Sequence, residues 1–266
     1  MDDVVRIATG ELGAIVIGQH VVRWGNDRIE VGVGIAEGAE RFEAWHHLSV
    51  PSLPLVTRAD VIVCDLDGVV WLSGTPIPGS VDAIARLRAG GYRVVFVTNS
   101  SAPTIAEHTA SLEAIGIPAA GDVVSSATAA GSLIGHGERV LVCGGAGVTE
   151  AVEHAGAVAV DASAAVETES FDAAVVGLDL RFDYRRLAAT SRAIRRGARF
   201  IACNTDPVYP TPSGPTPGAG SVVAAVATAS QHEPIVAGKL HAAVAAAIAA
   251  MLGTTSDDPR LAQRLI

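Results

Sequence analysis

Lysine is almost missing from this chain. Of 19 basic residues only Lys239 is a lysine, and 28 acids leave a net charge of −9. That deficit argues against a partner built on a phosphate backbone, so no nucleic acid is expected. Aromatic residues are scarce, at 4%, so the core has to come from Ala, Val, Leu and Ile. Three cysteines, Cys64, Cys143 and Cys203, are too few and too far apart for a disulfide framework or a zinc knuckle. Each ends or sits within an apolar run, which predicts buried, reduced thiols in a cytoplasmic protein. The N-terminus MDDVVRIATG is acidic and lacks a secretory h-region. The longest apolar run, Ala242 to Leu252, is too short and too alanine-rich to span a bilayer, so no membrane partner is expected.

The residues present are organised around 59–71, ADVIVCDLDGVVW. Val61 to Cys64 read as a short buried strand ending at two acids, Asp65 and Asp67, before Gly68. In extended backbone, side chains at i and i+2 point the same way, so both carboxylates face one spot. Like charges that close are costly unless a cation or phosphate chemistry uses them. An ordinary strand ending in an Asp-Gly turn is the competing reading. The lone lysine matters for the same reason. Lys is a compact point charge where Arg is a broad planar fork, and a tight phosphate pocket prefers the former.

Along the chain, residues 1–57 read as a β-rich extension with strands at Ala14–Ile17, His20–Trp24 and Ile29–Val33. A turn at Gly25-Asn26, a short helix Ala39–Leu48 and a proline-bearing linker at 50–55 complete it. The adjacent His46 and His47 diverge in any regular structure and predict no metal site. From 59 onward strand and helix alternate. Helices are expected from a Ser80 cap to Ala89, from Pro103 to Ile115, near Ala127–Ile134, at Val148–His154, at Tyr184–Arg196, and at 221–230 and 240–252. Strands are expected at Arg93–Val97, Val123–Val124, Arg139–Cys143, Ala173–Val176, Phe200–Cys203 and Ile235–Ala237. Residues 204–220 read as a long Pro/Gly loop. This alternation predicts an α/β fold: a Rossmann-like, doubly wound parallel sheet with chemistry at the carboxyl ends of its strands. Asp65, Asp67, Thr98 and Asn99 all occupy such ends.

A hydrophobic-DLDGV segment, a hydrophobic-TNS segment some thirty residues on and a later AGK together resemble the haloacid dehalogenase-like (HAD) phosphohydrolases. The long α/β insertion between TNS and AGK resembles the IIA branch, which includes phosphoglycolate, glycerol-phosphate and p-nitrophenyl phosphatases. The resemblance covers about 59–266. It implies a core from 58–131 and 227–266 and an inserted smaller α/β cap at 132–226. It also implies a Mg²⁺-dependent hydrolase acting on a small phosphorylated metabolite. Asp65 would attack phosphorus to give an aspartyl-phosphate, and Asp67 would be the general acid and base. Thr98, Asn99, Ser100 and Gly68 would hold the phosphoryl oxygens, and Lys239 would neutralise the charge. Mg²⁺ would sit on Asp65 and the main-chain carbonyl of Asp67. The loop from Thr205 to Ser213 would select substrate, with Asp206 and Tyr209 as contacts; a rigid connector is the other reading of that loop.

Two features complicate the resemblance. VLVCGGAGVTEAV, 140–152, imitates a dinucleotide-binding turn but lacks its third glycine, and cap domains of this family carry a similar turn. The family's fourth motif, a strand followed by Gly-Asp, falls at or past SDDPRLAQRLI, where Asp257 and Asp258 come too early. Asp27 and Glu30 in GNDRIEVGVG match that motif poorly and in permuted order. The alternative is therefore a truncated, catalytically impaired relative that binds phosphate or a partner without turnover. An incomplete core edge, or the cap, would then invite a homodimer. A phosphotransferase of the same family is a third option.

Overall fold

The computed structural model describes residues 13–17, 20–25, 28–33, 61–72, 74–211, 213–239 and 241–254. The expected 39–48 helix, the 50–55 linker, His46, His47, Asp257, Asp258 and the terminal segment lie outside them, as does Asn26 of the expected turn. The chain divides into two units, 1–94 with 263–266, and 95–262.

In the first unit, β1 (Gly13–Ile17), β2 (His20–Gly25) and β3 (Arg28–Val33) form an antiparallel meander, with Gly13 opposite Trp24 and His20 opposite Val33. The strand carrying the paired acids follows as β4 (Val61–Asp65), its first two residues buried. A small hairpin of β5 (Trp71–Leu72) and β6 (Thr75–Pro76) comes next, with Trp71 opposite Pro76. Helix α1 (Ser80–Ala89) then begins. Ser80 is not its cap, as the sequence had suggested. Gly79 occupies that position at φ 88°, and the Ser80 hydroxyl instead donates to the Val70 carbonyl at 2.8 Å. The buried hydroxyl is satisfied by the strand loop rather than by the helix end.

The second unit takes in all but the first two residues of β7 (Arg93–Thr98), then α2 (Ile105–Ala114) and β8 (Val123–Ser125), which pairs parallel to β7 with Thr98 opposite Ser125. Helix α2 starts one residue after Thr104, not at Pro103. Thr104 and Glu107 form a reciprocal capping box that satisfies two amides at once, a stronger start signal than the proline. There follow α3 (Ser126–Gly131), β9 (Arg139–Cys143), α4 (Ala146–His154), β10 (Val158–Asp161), β11 (Ala173–Val176), α5 (Tyr184–Arg195) and β12 (Arg199–Ala202). The chain continues through β13 (Val208–Thr211), β14 (Gly214–Pro217), α6 (Ala219–Ser230), β15 (Ile235–Val236) and α7 (Ala242–Met251). Five of these strands form a parallel sheet in the order β10-β9-β11-β12-β15. Its last strand comes from beyond residue 226, where the sequence reading ends the cap. Strand β11 is buried along its whole length, as the unbroken AAVV predicts for an inner parallel strand. Its core joins Leu141, Cys143, Val176, Phe200 and Ala202 to Ile194, Val222 and Val226, the aliphatic filling the composition demands.

The β5–β6 hairpin, strand β10 and the β13–β14 hairpin escaped the sequence reading. Strand β10, VAVD, is hidden by the alanine-bearing stretch that precedes it. Strands β13 and β14 replace the middle of the expected 204–220 loop with a hairpin in which Pro210 faces Pro215. Proline costs little there, because a two-stranded ribbon is all edge. Among the described residues, no helix is long and apolar enough to cross a membrane.

Candidate functional site

Both halves of the predicted constellation stand at strand ends. In the first unit, Asp65 is the last residue of β4, and Asp67 follows Leu66, whose side chain is fully buried. Gly68 sits at φ 84°, a conformation that lets the chain reverse immediately after the second acid. The turn is tightly knit. The Leu66 carbonyl receives the amides of Val70 at 2.9 Å and Trp71 at 3.1 Å, and the Gly68 amide donates to the Trp71 carbonyl at 2.8 Å. Trp71 is buried, and its indole N–H donates to Asp67 Oδ1 at 3.0 Å. The sequence reading passed over this tryptophan, although its place four residues after the second acid was visible.

In the second unit, Thr98 ends β7 and is buried, and its hydroxyl oxygen accepts the Ser100 amide at 2.9 Å. Asn99 is the hub. Its Oδ1 accepts the backbone amide of Lys239 at 2.8 Å, and its Nδ2 donates to Asp206 Oδ2 at 2.8 Å. Its carbonyl accepts from the Ser126 hydroxyl at 2.7 Å and from Asn204 Nδ2 at 2.6 Å. Asn204 in turn receives the Asp206 amide at 3.0 Å. A Cβ on Gly238 would come within 2.8 Å of Asn99 Oδ1, so the AGK glycine is what lets the lysine segment approach. Ser100 is held by the buried His108, whose Nε2 donates to its carbonyl at 3.2 Å. Ser101 is fully buried and accepts the Leu178 amide at 3.0 Å.

Thr98, Asn99, Ser100, Asp206 and the backbone of Lys239 are thus brought together, while Asp65, Asp67 and Gly68 belong to the first unit. Tyr209 stands half-buried on β13, opposite Thr216. Asn204, Ser126 and His108 were missed. Polar side chains that bind backbone leave no period or spacing to read.

The glycine turn after β9 has a structural cause. The Gly145 amide donates to the Leu178 carbonyl at 3.0 Å and the Gly147 amide to the Ala102 carbonyl at 2.9 Å. A Cβ on Gly147 would lie 2.0 Å from the Pro103 carbonyl oxygen. These glycines admit the segment after β7.

As to metal, no group of three or more His, Cys, Asp or Glu able to hold an ion occurs among the described residues. The half-buried Asp65 carboxylate and the main-chain carbonyl of Asp67 remain as oxygen donors. That donor set fits Mg²⁺, which takes one or two carboxylates and fills its shell with water and substrate oxygens.

Fold and site define an α/β protein with paired aspartates at one strand end and a threonine–asparagine turn at another. Residues 62–158 match the haloacid dehalogenase-like hydrolase family. The chain is 39% identical over 186 residues to D-glycerol 3-phosphate phosphatase of Mycobacterium tuberculosis, covering 68% of this chain and 50% of that protein. It is 32% identical over 179 residues to the acid sugar phosphatase of Staphylococcus saprophyticus, covering 66% of this chain and 67% of that one. The crystal structure of the M. tuberculosis glycerol phosphate phosphatase in complex with magnesium superposes with a TM-score of 0.67 at 35% identity, over 74% of this chain and 60% of that one. This chain belongs to the haloacid dehalogenase-like hydrolase family. It spans about half the length of the M. tuberculosis enzyme.

Proposed function

We propose that this protein hydrolyses small phosphate monoesters, of the polyol- or sugar-phosphate kind its relatives are named for, through a phosphorylated Asp65. The observation that carries the reading is the pair Asp65 and Asp67 at the end of β4, turned by Gly68 at φ 84°. An Asp65 carboxylate oxygen attacks phosphorus as the ester P–O bond breaks, and Asp67 delivers a proton to the departing alkoxide. A water then attacks the aspartyl-phosphate. Asp67 takes its proton, and the P–O bond to Asp65 breaks, releasing phosphate. Thr98 and the amides around Asn99 hold the phosphoryl oxygens, and the Lys239 ammonium offsets their charge. Mg²⁺, held by the Asp65 carboxylate and the main-chain carbonyl of Asp67, would neutralise charge on the transferring group. In this reading residues 132–226 form the cap, and Asp206 and Tyr209 meet the substrate.

The test is turnover of p-nitrophenyl phosphate and of glycerol phosphate with Mg²⁺. Asp65→Asn abolishes both activities if the reading holds. A folded wild-type protein that binds phosphate without turnover, or an Asp65→Asn variant that keeps its rate, refutes it. Transfer to an added alcohol in preference to water would make the protein a phosphotransferase instead.

A further inference from the structure

We propose that Trp71 is a positioning residue for Asp67: its indole N–H fixes Oδ1 and so assigns the proton-carrying role to Oδ2. The inference rests on the reading of Asp67 as general acid and base. A buried indole must find an acceptor for its N–H. Here the acceptor is not one of the nearby carbonyls but the carboxylate two residues after the proposed nucleophile, at 3.0 Å. Indole only donates. It therefore cannot take up the proton that Asp67 shuttles, and it holds one oxygen without competing for the other's task.

The tryptophan is itself held. Its amide donates to the Leu66 carbonyl at 3.1 Å, and its carbonyl accepts from Gly68 at 2.8 Å. It pairs with Pro76 across the β5–β6 hairpin, and it bridges directly to Asp67 through backbone pairing. The preceding residue, Val70, is tied to Ile77 and to Ser80, at 3.0 and 2.8 Å. A donor anchored at both its backbone polar groups spends its rigidity on the side chain it touches. A supporting shell of this kind keeps a proton-transfer group within working geometry.

The test separates leaving groups. p-Nitrophenolate departs without protonation, whereas the alkoxide of glycerol phosphate needs a proton as the P–O bond breaks. Because kcat/KM reports the steps up to phosphoryl transfer, it isolates this half of Asp67's work. Asp67→Asn lowers kcat/KM for glycerol phosphate by about 10²- to 10⁴-fold, and by much less for p-nitrophenyl phosphate. Trp71→Phe gives the same pattern at about 10- to 100-fold for the alkyl ester, and adds nothing further in the Asp67→Asn background. An isostere at position 71 with sulfur in place of the indole N–H keeps the bulk and guards against a folding defect. It behaves as Trp71→Phe does. Equal losses on both substrates, losses that persist in the Asp67→Asn background, or an isostere with wild-type selectivity overturns the role of Trp71. An Asp67→Asn variant with no leaving-group dependence overturns the reading of Asp67 itself.

Discussion

Asn99 joins three segments far apart in sequence, and a charge exchange exposes what that junction is worth. Asn99→Asp keeps an oxygen for the Lys239 amide but removes the donor to Asp206 Oδ2, 2.8 Å away, and sets two carboxylates against each other. Loss of the hydrogen bond costs about 0.5–1.5 kcal/mol. With the two carboxylate charges centred about 4 Å apart, the repulsion would cost about 4 kcal/mol near a protein surface and about 1 in open water, and the exposure of Asp206 favours the lower figure. Together these predict a loss of about 2 kcal/mol by urea unfolding. If all of it were expressed in the population of the competent loop, kcat/KM for p-nitrophenyl phosphate would fall about 30-fold. Asp206→Asn, added to Asn99→Asp, places an amide donor opposite the new carboxylate and restores the bond in reverse. The double variant therefore recovers at least half of both losses, a coupling of about 1 kcal/mol. A double variant no better than Asn99→Asp would refute the view that this contact, rather than the identity of residue 99, orders the loop.

Asp179 is the buried acid of the β11 end, ion-paired with Arg186 Nε at 3.2 Å and with Arg181 Nε at 3.1 Å. Asp179→Ala leaves the nearly buried Arg186 without its main counter-charge and lowers stability by about 3–5 kcal/mol in urea unfolding. Asp161 joins the same network. Burial pushes its carboxyl up, but the Ser163 hydroxyl and amide and the charges of Arg186 and Arg181 outweigh that and hold it below its ordinary value. A carboxyl depressed in the folded state contributes stability that is present above the unfolded-state value and lost as pH falls. Asp161→Asn accordingly flattens the acid limb of a stability-against-pH curve. Burial pushes the Cys203 thiol up to about 12 and the Cys143 thiol up to about 11. Neither reacts with iodoacetamide at pH 8 while the protein is folded, and both label in urea, as peptide mass spectrometry will record.

The parts of this protein that could be read in advance are those with a period or a spacing. The run VIVC before two acids, the AAVV strand and the Ala-rich helices formed where expected, although in VIVC only Val61 and Ile62 are buried and Cys64 is half-buried. Strand β10 did not announce itself, because VAVD follows an alanine-rich stretch whose helical and extended preferences nearly cancel. The β13–β14 hairpin hid behind its prolines, which signal a break in a central strand but not in a ribbon with free edges. Of the proposed site, Asp65, Asp67, Thr98, Asn99 and Lys239 were legible as residue types at spacings that resemble the family's. Their supports were not. Asn204 and Ser126 act on the Asn99 carbonyl from far away in sequence, His108 acts on the Ser100 carbonyl from the next helix, and only the folded chain supplies those partners.

The five-stranded sheet makes the same point from the opposite side. Its order reverses between β9 and β11, and the crevice at such a switch, beyond the strand ends and at a helix N-terminus, is where open α/β sheets commonly bind a nucleotide. The glycine turn after β9 strengthens that temptation. Here, however, the amides of Gly145 and Gly147 are taken by the Leu178 and Ala102 carbonyls, and Gly147 has no room for a Cβ beside Pro103. The adjoining cavity of about 650 Å³ is lined by Glu150, Glu153, Asp161 and Asp179 against Arg181. Four carboxylates facing one guanidinium repel a pyrophosphate rather than attract it. The switch point is filled by the protein's own segment after β7, the same segment that begins with Asn99 and Ser100. What resembles a cofactor site in sequence is thus a seat that anchors, from behind, the turn proposed to hold phosphate.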